Sequence, residues 1–263
     1  MEKTIQDILE TILAAIPGAP YPDTVDVIKI GDPAQKVTGI AVTFLPTYAV
    51  IEQAIQRGAN LILTHEPTFY NHLDATDWLE NDSVYIAKRR LLEEHHVVVW
   101  RFHDYLHSLH PDPTTTGILR ALAWTPYALP ESQNICHLPP RSFSDLVAEI
   151  KTKLGLTTLR VVGEGDMRCS KIGILVGAPG GQWQIQMLGQ SEIEVVICGE
   201  INEWETSEYV RDALQIGQRK GLIVIGHAPS EEAGMQEVVP WLQARVPDVP
   251  ITFIPTGQPF QWL

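Results

Sequence analysis

The chain has few cations and few cysteines, and it lacks long apolar runs. Lys and Arg number 19 against 32 Asp and Glu, which gives a formal net charge of −13. This shortage of cations argues against duplex nucleic acid as a partner, because affinity for DNA depends on side chains that neutralise phosphates. No apolar run approaches the roughly 18 residues that span a bilayer, so the sequence does not predict a membrane protein.

The three cysteines, Cys136, Cys169 and Cys198, have no CxxC spacing. They cannot form a zinc ribbon, and their odd number does not suggest a disulfide framework, so we expect free thiols, either in the core or at the surface, in a reducing compartment. The first residues carry acids and are not followed by a signal-peptide core. These features together predict a cytoplasmic location.

Short runs rich in Val and Ile alternate with helix-like stretches along the chain. Most of these runs lack strict polar–apolar alternation, which is typical of strands buried on both faces of a parallel sheet. Strands are predicted over 38–44, 61–64, 97–100, 159–162, 171–176, 195–198, 222–225 and 251–254. Helices are predicted over 5–16, 48–57, 84–95, 143–154, 206–219 and 231–246. The last helix has Ser230 as its predicted N-cap and is kinked or split by Pro240. The alternation predicts an α/β fold.

The order of these elements predicts a diverged internal repeat, in which a strand–helix–strand–helix–strand unit occurs twice. Its first copy covers the strands that begin near Gly39, Leu61 and Val97. Its second copy covers the strands that begin near Gly173 and Val195 and at Leu222. The alternative is that two unrelated α/β units look alike, since their connections are short and stereotyped.

Side chains that bind metals follow four of the predicted strands. His65 and Glu66 follow the run 61–64, and His103 follows 97–100; Glu200 and His227 each come one glycine after a later run. Binding sites of parallel sheets lie at the carboxyl ends of the strands, and imidazole and carboxylate groups bind divalent metals. The pattern therefore predicts a divalent-metal site, although each residue taken alone is equally typical of a polar loop. The remaining histidines for which we expect structural roles are His72, His95, His96 and His137.

Several segments resemble motifs of the Nif-three-like family, which is also described as a dinuclear metal centre of hexameric type and as a type 2 GTP cyclohydrolase I homologue. The segment Gly58–Pro67, Gly-Ala-Asn-Leu-Ile-Leu-Thr-His-Glu-Pro, resembles its Gly-Ala-Asp-(apolar)₃-x-His-His-Pro motif. Similar matches to its His-Thr-x-x-Asp, apolar-Thr-Gly-Glu/Asp-Ile and Gly-His-x-x-(Ser/Thr)-Glu motifs occur at His103–His107, Val196–Ile201 and Gly226–Glu231. The likeness covers nearly the whole chain in order. Two positions depart from the family pattern, because Glu66 replaces a histidine and His107 replaces an aspartate.

The resemblance implies two interlinked α/β lobes with mainly parallel buried sheets. We place the first lobe at 1–126 plus 220–263 and the second at 127–219. It also implies a homo-hexameric ring and a dinuclear centre that holds one or two divalent ions per subunit, zinc, manganese or iron. Carried over position by position, the metal ligands are His65, Glu66, His107, His227 and Glu231, with His103 beside the site or in it. His103 and Glu231 are the candidate acid–base residues.

Two functional hypotheses follow from these residues. The first is a metal-dependent hydrolase that acts on a small substrate, such as a nucleotide or another phosphate-containing molecule. The sequence contains neither a nucleophile elbow nor a P-loop, which would indicate other chemistry. The second is a non-enzymatic metal-binding ring that stores or senses metal or acts as a partner scaffold. A metal-free α/β domain is a weaker third hypothesis. An open coordination position favours catalysis, whereas a closed one favours storage or a structural role.

Overall fold

A computed structural model describes residues 3–261 of the chain. Its strands, in chain order, are β1 (Ile28–Ile30), β2 (Ile40–Thr43), β3 (Leu61–Thr64), β4 (Val98–Arg101), β5 (Ala128–Leu129), β6 (Ser132–Ser142), β7 (Arg160–Val162), β8 (Arg168–Leu175), β9 (Val195–Cys198), β10 (Gly221–Val224) and β11 (Ile251–Phe253). Its helices are α1 (Ile5–Leu13), α2 (Tyr48–Gln56), α3 (Ser83–Glu94), α4 (Asp104–His107), α5 (Pro113–Ala121), α6 (Phe143–Leu154), α7 (Gly181–Gly189), α8 (Glu208–Gln215) and α9 (His227–Gln243). No helix within residues 3–261 is long and apolar enough to cross a membrane.

The chain folds as two compact units, each made from discontinuous segments. Among the described residues, the first unit comprises 3–113 together with Met235–Gly257, and the second comprises Thr114–Gly234 and 258–261. The chain thus passes between units at 113/114, 234/235 and 257/258, whereas the sequence predicts lobe boundaries at 126/127 and 219/220. The α/β fold class is confirmed.

The sheet of the first unit has the strand order β1-β4-β3-β2-β11. Only its edge strand β1 is antiparallel to its neighbour, and the pairs β4–β3, β3–β2 and β2–β11 are parallel. Every residue of β2, β3 and β4 is buried, which explains why these strands have continuous apolar sequences. Because β3 and β4 are parallel neighbours, their carboxyl ends lie at the same edge of the sheet.

The second unit has a mixed sheet with the order β5-β6-β8-β9-β10-β7. The central pairs β8–β9 and β9–β10 are parallel, as predicted, but β5, β6 and β7 pair antiparallel with their neighbours. Along β9 successive side chains enter two different cores. Val195 and Ile197 pack in one apolar cluster, and Val196 and Cys198 pack in the other. Burial on both faces is therefore confirmed for this strand.

The predicted elements are confirmed, with corrections at some ends. The bounds of β3, β9 and α6 are those predicted; Ser142 Oγ accepts a hydrogen bond from Asp145 N at 3.1 Å, and α6 ends at Gly155 with a φ of 64°. A π-helical turn precedes α8, which begins later than predicted. The predicted start of α9 is wrong, since this helix begins at His227, and Pro240 does not split it.

The three thiols lie in the interior, which decides between the core and surface positions left open by the sequence. Cys136, Cys169 and Cys198 are all buried. Burial raises the pKa of Cys136 and Cys169 to about 11 and that of Cys198 to about 12. Thiols with such pKa values stay protonated at neutral pH and are poor nucleophiles and poor metal ligands. The candidate chemistry of the chain therefore rests on its histidines and carboxylates.

Candidate metal centre

Three histidines of the first unit converge at the carboxyl edge of its sheet. His65 follows β3, and His103 follows the neighbouring strand β4 after one residue; His107 is the last residue of the short helix α4. One nitrogen from each ring can be chosen so that all three lie within 4.8 Å of one another. The His65 ring stacks on the ring of His103 with a centroid distance of 4.7 Å. The strand-end pattern thus brings together residues that are distant in sequence.

The Nδ1 atom of each of these histidines has its own hydrogen-bond partner, which is an oxygen atom in all three cases. His65 Nδ1 lies 3.2 Å from the carbonyl oxygen of Phe102, which can only accept, so this nitrogen is the donor. The other two rings have carboxylate partners, at 2.9 Å from His103 Nδ1 to Asp104 Oδ1 and at 2.9 Å from His107 Nδ1 to Asp112 Oδ2. In metal sites such outer partners fix the tautomer and direct Nε2 at the metal. The arrangement fits three Nε2 ligands.

The electrostatic environment keeps His103 neutral. Burial, together with the neighbouring His65 and His107, lowers the pKa of His103 to about 4 in spite of its hydrogen bond to Asp104. Burial opposes ionisation of Asp104, but hydrogen bonds from His103, Thr24 and the backbone lower the pKa of this carboxyl overall. A neutral imidazole beside an ionised carboxylate has the lone pair that a metal requires.

The buried carboxylate of Asp26 fixes the start of α4. Its Oδ1 accepts from His103 N at 2.8 Å, and its Oδ2 accepts from Tyr105 N at 2.8 Å. Burial raises the pKa of Asp26 against these hydrogen bonds. Asp26 was not predicted as a site residue, because it lies far from His103 in the sequence. The contact sets the backbone position from which the His103 and His107 side chains project.

Arg101 is a second residue of the site that was not predicted from the sequence. Its side chain is fully buried, and its Nε donates to the carbonyl oxygen of His65 at 3.1 Å. Another of its nitrogens, Nη1, donates to the carbonyl oxygen of His72, and Nη2 lies 3.7 Å from Glu66 Oε2. Glu66 also approaches His103, with 3.9 Å between its Oε1 and the Nε2 of that ring. The carboxylate that replaces a family histidine thus lies close to both a guanidinium group and an imidazole.

The loop after Glu66 is fixed by a further buried cation. Lys88 on α3 donates from Nζ to the carbonyl oxygen of Thr68 at 2.6 Å, and its burial lowers the pKa of this amine to about 8. His72, for which the sequence predicts a purely structural role, lies near the cluster, with its ring centroid 5.7 Å from that of His103. His95, His96 and His137 are exposed and lie outside the cluster.

The second unit brings together the other predicted ligands. His227 begins α9 and Glu231 lies one helical turn later, with 3.1 Å between His227 Nε2 and Glu231 Oε2. His227 Nδ1 lies 3.4 Å from Oε1 of Glu200, which follows β9. The hydrogen bond with His227 lowers the pKa of Glu200 against the effect of burial, and the nearby Arg160 lowers it further. Each of the three residues His227, Glu231 and Glu200 was predicted as a candidate site residue from its position after a strand or in a motif.

Ser230 and Gly177 position this second group. Ser230 was predicted to be the N-cap of α9 but lies inside this helix. Its Oγ donates to the carbonyl oxygen of His227 at 2.6 Å and accepts from Gly177 N at 2.9 Å. Gly177 has a φ of 66°, and an added Cβ would lie 2.4 Å from Glu231 Oε1. Both the backbone conformation and the proximity of the carboxylate therefore require glycine at this position.

Replacing Gly177 with alanine is expected to destabilise the chain by more than the backbone conformation alone explains. A Cβ in the left-handed region costs roughly 1–2 kcal/mol, and displacing the buried Glu231 adds about 1–3 kcal/mol. Gly217→Ala is the matched control, because Gly217 has a φ of 80° and no described atom lies within 4 Å of its added Cβ. Urea denaturation of both variants measures the difference, and equal losses would disprove the role of Gly177 in positioning Glu231.

The donor set indicates which metals fit. Imidazole nitrogens suit zinc, iron and other transition metals, whereas magnesium and calcium prefer sites made only of oxygen. Three protein ligands are also the number found in catalytic zinc sites, which keep a fourth position open. The three-histidine cluster therefore fits a divalent transition metal.

The chain is similar to a known family and to several solved structures. The family described as Duf34/NIF3 (NGG1p interacting factor 3) matches residues 4–259. The hypothetical protein SA1388 of Staphylococcus aureus is 18% identical with a TM-score of 0.78, and each chain covers 100% of the other. The Bacillus cereus protein related to NIF3 is 14% identical with a TM-score of 0.77, covering 100% of this chain and 99% of that one. Reduced HcgD from Methanocaldococcus jannaschii is 18% identical with a TM-score of 0.68, covering 96% and 98%. No curated protein matches the sequence.

Proposed function

Because the chain belongs to the Duf34/NIF3 family, we propose that it is a metal-dependent hydrolase whose centre includes His65, His103 and His107. The observation that carries the proposal is the convergence of three imidazoles, each with an oxygen partner on Nδ1. The proposed substrate is a small molecule, such as a nucleotide or another phosphate-containing compound. The proposed metals are zinc, manganese and iron.

His65, His103 and His107 would hold a divalent ion, which would supply Lewis acidity toward a carbonyl or phosphoryl oxygen and toward water. Groups of the protein around the three imidazoles orient the rings. Asp104 and Asp112 orient the His103 and His107 rings, and the carbonyl oxygen of Phe102 orients His65. Glu66, beside Arg101, contributes negative charge near His103.

The proposal includes a form with two ions per chain, in which His227 and Glu231 also bind metal. Support comes from the short contact between these side chains and from the burial of the Glu231 carboxylate, which is 2% exposed. Buried carboxylates commonly pair with a cation or coordinate a metal. Glu231 and His103 are proposed as acid–base groups only in forms in which they do not bind an ion, since a group engaged by a metal is not free to transfer a proton.

A turnover screen tests this function. Protein stripped of metal and freed of chelator is loaded in turn with zinc, manganese or iron(II) and given phosphomonoesters, phosphodiesters, nucleotides and amides. We expect hydrolysis of at least one substrate class only in the loaded protein, and loss of that activity in His65→Ala but not in His95→Ala. Stoichiometric metal without turnover of any substrate would contradict the hydrolase proposal and favour the storage or sensing alternative.

We also propose the homo-hexameric ring that the family resemblance implies. Three tryptophans offer apolar surface for such an assembly, since Trp78, Trp183 and Trp204 are 66%, 65% and 76% exposed. Large aromatic side chains are enriched at protein interfaces. Sedimentation velocity measures the assembly, and a monomer at micromolar concentration would contradict it.

A further inference from the structure

A cavity of about 600 Å³ opens in the second unit at the carboxyl end of β10. It is lined by the segment Gly155–Arg160, by Val224–Gly226 and by Glu203, Gln258 and Phe260. Its volume lies in the range of pockets that enclose small organic ligands. Gly226 lines the cavity and is bonded to His227, so the cavity extends to the residue next to a predicted metal ligand.

The cavity has one positive group, since Arg160 is the only cation among its described lining residues. Arg160 Nη1 lies 2.8 Å from Glu203 Oε1, and the two side chains are 47% and 76% exposed. Ion pairs this exposed contribute little free energy, so an incoming anion can replace Glu203. The planar guanidinium binds carboxylate or phosphate groups through two parallel hydrogen bonds.

The rest of the lining suits an apolar group. Leu156, Leu159 and Ile225 contribute aliphatic surface, and Phe260 contributes an aromatic ring. Phe260 is 76% exposed, so its ring is accessible to a partner. Aromatic rings in this situation gain free energy when another ring stacks on them or packs against their edge.

We propose that this cavity binds a small organic anion that combines one ring-bearing apolar part with one carboxylate or phosphate group. The ring packs against Phe260 and Leu156, and the anionic group binds Arg160 in place of Glu203. The identification of this ligand as the substrate of the metal centre rests on the proposed function; binding in the cavity does not. If the ligand of this cavity is also the substrate of the metal centre, that substrate is an amphipathic anion.

Binding is measured by isothermal titration on the full chain, stripped of metal and freed of chelator, so that metal plays no part. The probes are phenyl phosphate and benzoate, which carry both parts, and inorganic phosphate and benzyl alcohol, which carry one each. We expect at least one of the first two probes to bind with a Kd of about 1 mM or lower. Each single-part probe is expected to bind at least tenfold more weakly.

Three variants locate the binding. Arg160→Gln is expected to raise the Kd of the aromatic anion about tenfold, and Glu203→Gln to lower it several-fold by removing the competing carboxylate. Arg211→Gln is the matched control, because Arg211 pairs with Glu208 on α8, away from the cavity lining, and its loss should leave the Kd unchanged. Absence of binding by both aromatic anions, or equal binding by Arg160→Gln and the parent, would overturn the proposal. Neither result would affect the metal-binding proposal, which is tested separately on His65.

Discussion

His65→Ala is expected to reduce zinc binding by the chain more than any other single substitution in the three-histidine cluster. Loss of an outer hydrogen-bond partner of a metal ligand typically lowers metal affinity by about 10–100-fold, and loss of the ligand itself removes more. His65 is fully buried between Phe44 and the other two rings, so little else can replace it. Equilibrium competition against a chromogenic zinc chelator, with elemental analysis for stoichiometry, measures the change.

The buried position of His65 calls for a second variant and a matched control. His107→Ala removes a ligand whose side chain is 32% exposed, so it changes the packing less and should still weaken zinc binding strongly. His95→Ala removes an exposed histidine at the end of α3 and should leave zinc affinity unchanged. If His65→Ala and His107→Ala fold and bind zinc as the parent does, the three-histidine site is wrong.

Arg101→Gln is expected to lower the free energy of unfolding by about 3 kcal/mol, because removing one partner of a buried charged network leaves the other groups unsatisfied. The lost guanidinium donates to the carbonyl oxygens of His65 and His72 and lies 3.7 Å from the Glu66 carboxylate. A glutamine amide is too short to reach all three. Urea denaturation of protein stripped of metal measures this effect without a contribution from bound ions.

The matched control for this substitution is Arg90→Gln. Arg90 on α3 also pairs with a carboxylate, that of Glu94, but its side chain is 73% exposed. Exposed pairs of this kind contribute little to stability, so the control should change the free energy of unfolding very little. Equal effects of the two substitutions would show that Arg101 does not hold the loop that carries Glu66.

Much of the fold could be predicted from the sequence because its central strands are buried on both faces. The continuous apolar sequences of β3 and β9 gave their bounds, and the caps Ser142 and Gly155 gave those of α6. The strand β6 was missed because its eleven residues include Pro139 and Pro140 and have several exposed side chains. Such a strand depends on pairing with β8, a long-range interaction that a local pattern does not reveal.

The candidate metal ligands could be predicted from the sequence, whereas the residues that position them could not. His65 and His103 were found because metal-binding side chains follow apolar runs that pair in parallel. Arg101 and Asp26 were not found, because their roles depend on contacts with backbone atoms 36 and 77 residues away. The requirement for glycine at position 177 likewise depends on the distance from its backbone to Glu231 and on a positive φ, and neither of these can be read from the sequence.

The oxygen partners on the three Nδ1 atoms have a consequence for how the protein responds to its surroundings. Because these hydrogen bonds come from the folded chain itself, the rings keep their orientation whether or not an ion is present. A molecule that loses its ion would keep the shape of its site and could reload without refolding. The free metal concentration around the protein, and not its folding equilibrium, would then set the fraction of molecules that carry an ion.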